Sequence, residues 1–289
     1  MSIGKVLVTG ATGDTGRATV KRLRERGHDV RALARKPDER SKRLEELGAE
    51  VVYGDLLKLD DLRNANEGVS RAYYVYPLAP GLVESTVLFA QAAKENGLEH
   101  VVNMSHKQAR PRARSRTTLN HWLSEQVFGW SGLGATHLRV TFFAEWLLYI
   151  APLIRQGRYV TPFDPGSRFA PMPAGDIARV VVGILEDPAP HAGKAYQLHG
   201  PVEYSHAELA AVVGRELGRE VRFEQVDVPT FLDLLGLGGE EAFRDHFTSV
   251  RVDQQEGLLE GTDEIGTAII GRPLTTIEEF IEENRKAFA

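Results

Sequence analysis

The stretch Lys5 to Gly16, KVLVTGATGDTG, decides how the chain around it folds. Lys5, Val6, Leu7 and Val8 form a short apolar run with β-branched residues, and Gly10, Gly13 and Gly16 follow at once. A helical pattern then runs from about Gly16 to Arg26, with Gly27 as its stop. Strand, glycine loop and helix in this order are the parts of a site for a dinucleotide phosphate. Gly10 can take the backbone angles of the turn, Gly13 admits a pyrophosphate close to the backbone, and Gly16 lets the helix pack on the sheet. Thr12, Asp14 and Thr15 complete the loop, and the free N–H groups of the helix start face the anion. A glycine-rich turn without a ligand is the competing reading.

The next element reports which dinucleotide is held. His28 to Ala34 (HDVRALA) reads as a second strand, and an acidic residue at its end would grip the ribose hydroxyls of NAD. The chain instead offers Arg35 and Lys36, close to the expected interval of about 20 residues after the loop. A guanidinium there matches a 2′-phosphate in charge and bidentate geometry, so NADP(H) is favoured over NAD(H). The alternative is a solvated basic turn.

Composition narrows the class. The chain has 289 residues with 42% hydrophobic content, enough for a nucleotide domain plus a smaller lobe. A net charge of −5 argues against a general nucleic-acid surface. The absence of cysteine excludes disulfides, thiolate metal sites and cysteine nucleophiles, and suits a reducing cytoplasm. The longest apolar stretch, Thr141 to Ile154, contains Glu145 and is too short to span a bilayer. With the first strand beginning by residue 5, no signal peptide, membrane anchor or metal is expected, and the protein reads as a cytoplasmic monomer or homodimer.

Further along, Ser41 to Leu47 reads as a short helix and Glu50 to Tyr53 as a third strand. Asp55 is placed either to accept from an adenine amino group, with Leu56 covering the ring, or to N-cap the helix containing Leu59 and Leu62. Ala72 to Tyr76 reads as the fourth strand, stopped by Pro77, which puts Tyr76, Pro77 and Leu78 at the nicotinamide half of the ligand. A helix from Val83 to Asn96 leads to the fifth strand, His100 to Met104, with Ser105 and His106 at its carboxyl end beside the hydride-transfer point. Residues 106–116 (HKQARPRARSR) read as a solvated basic loop or as a flap over phosphates or an anionic substrate. Thr118 to Phe128 is a helix and Ala135 to Val140 a sixth strand. After Phe143 the alternation ends. Residues 159–173 suit a crossing between lobes, Asp176 reads as structural in a helix to about Glu186, and Ala195 to Leu198 reads as a last sheet strand. A helix from Ser205 to Leu217, a strand from Val221 to Val226 and a helix from Thr276 to Phe288 finish the chain. The expected architecture is α/β, a Rossmann-type doubly wound parallel sheet formed by residues 1–150 with 174–198 returning to it. Residues 151–173 and 199–289 make a smaller C-terminal α/β lobe on the substrate side.

Five stretches together resemble the NmrA-like branch of the atypical short-chain dehydrogenases, nearly end to end. They are GATGDTG, the Arg35 position, HWLSEQVFGWSGLGATHLRVTFFAEWLL from His121 to Leu148, MPAGDIARVV from Met172, and YQLHGPVEYSHAELAAVVGRELGREV from Tyr196. The G-x-x-G-x-x-G spacing is the one that short-chain and extended dehydrogenases use. That branch includes NADPH-dependent quinone oxidoreductases, triphenylmethane dye reductases, and regulators that bind the cofactor without turning it over. The resemblance implies hydride transfer from NADPH to a quinone-like or other conjugated small-molecule acceptor; its alternative is an NADP(H)-sensing regulator acting through a protein partner. It also implies that Val140, Thr141, Phe142 and Phe143 lie beside the nicotinamide, with Trp146 and Tyr149 further along the cleft, and that Leu78, His106, Phe143 and Trp146 border the substrate.

The Tyr-x-x-x-Lys pair that ordinary short-chain dehydrogenases carry on the helix after strand five is missing. The matching helix carries His121 and Glu125, four apart and so on one face, which makes them catalytic candidates with Ser105. In this reading His121 orients cofactor or substrate while Glu125 holds its ring, and His106 is the other candidate proton donor; the competing reading is a surface ion pair. Hydride transfer to a delocalised acceptor needs no strong positioned acid, so the departure disfavours carbonyl reduction rather than redox chemistry.

Overall fold

The computed structural model describes residues 3–262 and 264–289. The first half alternates strand and helix: β1 Lys5–Val8, α1 Asp14–Glu25, β2 Val30–Ala34, α2 Glu39–Glu46, β3 Glu50–Tyr53, α3 Leu59–Asn66, β4 Val69–Tyr74, α4 Leu82–Glu95, β5 His100–His106, α5 Arg116–Ser131 and β6 Gly134–Val140. Two short helices follow, α6 Trp146–Tyr149 and α7 Ala151–Ile154, then β7 Arg158–Thr161, β8 Arg168–Phe169, α8 Ala174–Glu186 and β9 Ala195–Leu198. The remainder is β10 Tyr204–Ser205, α9 His206–Leu217, β11 Arg222–Gln225, α10 Val228–Leu234, α11 Glu241–Gln255, α12 Ile265–Ile270, α13 Ile277–Glu283 and α14 Arg285–Phe288.

The main sheet has the order β3-β2-β1-β4-β5-β6-β9 with every pairing parallel. Central strands of such a sheet are covered on both faces, which is why Val6, Leu7 and Val8 are all fully buried although they point to alternate sides. Val6 and Val8 pack with Val20 and Leu23 of α1 and Val180, Val181 and Ile184 of α8. Leu7 faces the other layer, with Leu62, Tyr74, Phe89 and Phe128 from α3, β4, α4 and α5. A third core, around Phe163, Phe169, Phe231, Phe247 and Phe280, holds together the pairs β7–β11 and β8–β10 with the C-terminal helices. No helix among the described residues is long and apolar enough to cross a membrane.

The chain departs from the expected boundaries where side chains intervene. β4 ends at Tyr74 rather than Tyr76, because the Thr9 hydroxyl accepts from Val75 N at 2.7 Å and donates to Val75 O at 2.9 Å in place of a strand ladder. β5 runs on through Ser105 and His106, paired with Arg139 and Val140 of β6. Asp55 does not cap α3, whose N-cap is Lys58; its carboxylate accepts from Leu57 N at 2.9 Å and shapes the preceding turn. Residues 265–274 pack against α8 through Ile265, Ile269, Ile270 and Leu274, so they sit on the main sheet's layer rather than in the smaller lobe. The final helix breaks at Asn284 into α13 and α14. Asp176 is fully buried and accepts from Thr275 N at 2.6 Å, tying α8 to the C-terminal segment.

The basic segment 106–116 keeps Arg112, Arg114 and Arg116 exposed but is anchored to α11. Arg110 reaches the fully buried Asp253 of α11 at 2.6 Å, Arg114 bridges Asp253 at 3.2 Å and also pairs with Glu256, and Lys107 donates to Glu260 O at 3.1 Å. These contacts pin α11 over the carboxyl end of the sheet. A buried carboxylate needs such partners, and the sequence-distant acid explains why the run looked solvated.

Candidate active site

A cleft of about 330 Å³ opens at the carboxyl ends of β1, β4, β5 and β6, where open α/β sheets bind ligands. Its floor includes Gly10, Gly13, Asp14 and Thr15 at one end and residues of both lobes at the other. Gly10 has φ +54°, and a Cβ there would meet Val75 O at 3.1 Å. Gly13 N donates to Gly10 O at 3.0 Å, closing the turn, and Gly16 sits so tightly that a Cβ would lie 2.3 Å from Gly10 O. Gly13 is the N-cap of α1 and no side chain caps that helix start. Orphan N–H groups at a glycine turn fit a pyrophosphate.

Asp14 in the first turn of α1 is turned aside. Its carboxylate accepts from the Tyr149 hydroxyl at 2.6 Å and lies 3.7 Å from Arg17. Burial and the neighbouring Asp14 charge hold the Tyr149 hydroxyl above its usual range, so it stays a donor. Arg35 and Lys36 follow β2 with exposed side chains and form no ion pair among the described residues. Asp55 and Arg35 both act on Tyr76: burial raises that hydroxyl, Asp55 adds to the rise and Arg35 opposes it. The loop glycines, Arg35, Asp55 and Tyr76 follow the carboxyl ends of the four neighbouring strands β1, β2, β3 and β4. The Tyr76 hydroxyl donates to Pro80 O at 2.7 Å, so it serves its own loop rather than a substrate. Pro77 and Leu78 line the cleft, whereas Asp55 and Leu56 lie outside it, Leu56 packing on the core beneath.

The expected pairing of His121 with Glu125 does not form. Glu125, 4% exposed, accepts from Ser105 Oγ at 2.5 Å and receives the Arg139 guanidinium through Nε at 2.9 Å and Nη2 at 2.6 Å. A charged two-pronged partner outcompetes a neutral imidazole, and the register that sets Ser105 beside Arg139 places both under Glu125. Glu125 does not line the cleft, and the Ser105 hydroxyl, which does, has its proton directed at Glu125.

His121 instead joins a group of three imidazoles. Its ring stacks on His106 at 5.6 Å between centroids, and His246 of α11 meets His106 edge-on at 5.1 Å. All three line the cleft. Burial is the largest cause depressing each of them, with the neighbouring rings adding to it for His106 and His121; His121 and His246 fall to about 4, and all three are neutral near pH 7. Gln108, 3% exposed and also lining the cleft, has neither amide atom hydrogen-bonded, and His106 Nδ1 and Thr141 Oγ1 are likewise buried without a partner.

The aromatic wall is shared between lobes. Phe142, Phe143 and Trp146 line the cleft as expected, with Phe142 edge-on to Phe163 and Phe169 at 5.2 and 5.4 Å, and Trp146 edge-on to Phe247 at 5.4 Å. Phe243, His246, Phe247 and Val250 from α11 close it, and sequence reasoning missed them together with Gln108. Their spacing is an apolar stripe at helical period with a histidine set into it, which marks a face but not the face it meets. No group of three or more residues suited to a metal occurs among the described residues.

Known proteins match the chain along nearly its whole length. The chain is 31% identical to an NAD(P)H azoreductase of Xenophilus azovorans over 98% of its length and 99% of that protein. It is also 31% identical to a (4-alkanoyl-5-oxo-2,5-dihydrofuran-3-yl)methyl phosphate reductase of Streptomyces griseus, over 98% of this chain and 99% of the other. The solved Escherichia coli quinone oxidoreductase QOR2 in complex with NADPH superposes with a TM-score of 0.82 at 23% identity, over 97% of this chain and 99% of that one. Residues 3–281 match the NmrA-like family, and the chain belongs to that family.

Proposed function

We propose that this protein is an NADP(H)-dependent reductase that passes hydride from NADPH to a quinone-like or other conjugated acceptor. The observation that carries the reading is one cleft with a glycine phosphate cradle at one end and an aromatic wall with neutral imidazoles at the other. The names of the azoreductase and the quinone oxidoreductase, both acting on or named for flat conjugated compounds, support it.

The loop N–H groups from Gly13 onward hold the pyrophosphate and the Arg35 and Lys36 heads take the 2′-phosphate. Thr141, Phe142 and Phe143 border the nicotinamide. Bound NADPH supplies the hydride; the protein supplies orientation and a dry pocket. Phe143, Trp146, Phe243 and Phe247 form the apolar walls that exclude water and align a planar ring. Reduction delocalises charge over the acceptor, so the depressed histidines do not need to act as strong acids.

Acceptor-dependent oxidation of NADPH by the purified protein tests the reading. Turnover with menadione or an azo dye is expected, and cofactor binding without consumption across a panel of conjugated acceptors overturns it. Cofactor choice has its own test. Arg35→Ala is expected to weaken NADPH by about 10- to 100-fold, the loss of a charge-assisted bidentate contact, while NADH is almost unchanged. Equal weakening of both cofactors would remove Arg35 from the 2′-phosphate site.

A further inference from the structure

The polar end of the cleft is built by both lobes and is more specific than an aromatic slot requires. Ser115 Oγ accepts from Thr118 N at 3.3 Å at the start of α5 and lies 3.0 Å from His246 Nδ1, to which its own hydrogen goes in the arrangement proposed below. A neutral imidazole that accepts at Nδ1 carries its proton on Nε2. The Gln108 amide adds a second donor that nothing in the protein satisfies, and buried polar groups without partners are rare enough to call for one. We propose that His246 and Gln108, backed by the His106 and His121 rings, form a hydrogen-bonding floor that recognises a carbonyl oxygen on the planar acceptor. Ser115 is a positioning residue in this arrangement, acting through His246.

The proposal rests on the cleft being the acceptor's site and adds to that reading a choice among acceptors: rings bearing a carbonyl are preferred over oxygen-free rings of the same shape. In the reaction the hydride reaches the acceptor from NADPH, negative charge grows on the carbonyl oxygen, and the imidazole N–H and amide N–H stabilise it without giving up their protons; the delocalised product anion takes its proton from solvent water as it leaves the cleft. The groups facing His246 are His106 and His121 across the cleft, Ser115 of the preceding loop, and Asp253 one helical stretch along α11, whose charge Arg110 and Arg114 neutralise.

The test compares menadione with methylnaphthalene, its oxygen-free parent, in calorimetric titrations of the protein with and without NADP+. Wild type is expected to prefer menadione, and His246→Phe to lose about 3- to 10-fold of that preference, the worth of one neutral hydrogen bond. His246→Gln, whose amide Nε2 stands where the imidazole N–H stood, should retain most of it. Gln108→Leu, close in volume and removing no existing hydrogen bond, should fold normally and lose preference in the same direction. Under turnover with menadione, His246→Phe should lower kcat on the order of 10²-fold with the NADPH KM unchanged. The ratio of wild-type to variant rates should be constant from about pH 6 to 9, because the rings stay neutral throughout that range. Equal binding of the two rings by wild type, undiminished preference in both His246→Phe and Gln108→Leu, or a rate ratio that breaks near the ordinary histidine pKa would each overturn the proposal. Carbonyl-selective binding without any turnover would instead sink the reductase reading and leave this floor standing.

Discussion

Gly16→Ala is expected to weaken NADPH binding on the order of 10²-fold and to lower stability by about 1–3 kcal/mol, the usual cost of overpacking a tight site. The added Cβ would lie 2.3 Å from Gly10 O and 2.8 Å from both Ala11 Cα and Gly10 C. These are backbone atoms of the same loop, so no side chain can swing away; the turn itself has to open. Opening it moves the N–H groups off the phosphate, and the loss of one charge-assisted contact at about 1.5–3 kcal/mol accounts for most of the affinity loss. Gly175→Ala is the matching control: it lies in the first turn of α8, no atom stands within 4 Å of its Cβ position and its φ is ordinary. That variant should bind NADPH like wild type and gain slightly in stability, since alanine is the better helix former. Thermal unfolding and cofactor titration of both proteins check the contrast. Unchanged affinity in Gly16→Ala would show that the loop does not hold the phosphates.

Arg139→Met is expected to cost about 3–5 kcal/mol, more than any surface ion pair, because it strands a buried carboxylate. Glu125 is 4% exposed and its only ionic partner among the described residues is Arg139. Ser105 donates one hydrogen bond at 2.5 Å, which does not neutralise the charge. Chemical denaturation at neutral pH measures the loss. The double variant Arg139→Met, Glu125→Gln should recover most of it, since the charge and its partner are then removed together. A loss below about 1 kcal/mol in the single variant, the range of an exposed pair, would mean that Glu125 is solvated and free to serve the cleft.

The parts of this protein that local chemistry dictates were legible in the sequence. Glycine spacing after a β-branched run marked β1, the loop and α1, and the helical run opening at Ser205 marked α9, whose N-cap is Ser205. The parts set by partners far along the chain were not. Glu125 sits four residues from His121 on one helix face, yet its carboxylate goes to Arg139 because the β5–β6 register brings that guanidinium beneath α5. Arg110 and Arg114 look like a solvated run until Asp253, more than a hundred residues later, arrives with α11. The end of β4 depended on the hydroxyl of Thr9, which leaves no mark on the strand's own sequence. His246 shows the same limit on the functional side: its helix has the pattern of a packed face, and only the fold sets that face over the carboxyl ends of the strands as a wall of the cleft.

Deuterium at the transferring position of NADPH tests the central claim most directly, because it reads whether hydride passes from this cofactor in this cleft. With menadione as acceptor, a primary kinetic isotope effect is expected under single turnover. The labelled position should give the same effect in Gly175→Ala, and at an NADPH concentration that just saturates wild type the single-turnover signal should largely disappear in Gly16→Ala, whose phosphate loop binds more weakly. NADPH bound tightly and left unconsumed by every conjugated acceptor would contradict the account and leave a cofactor-binding protein that signals through a partner.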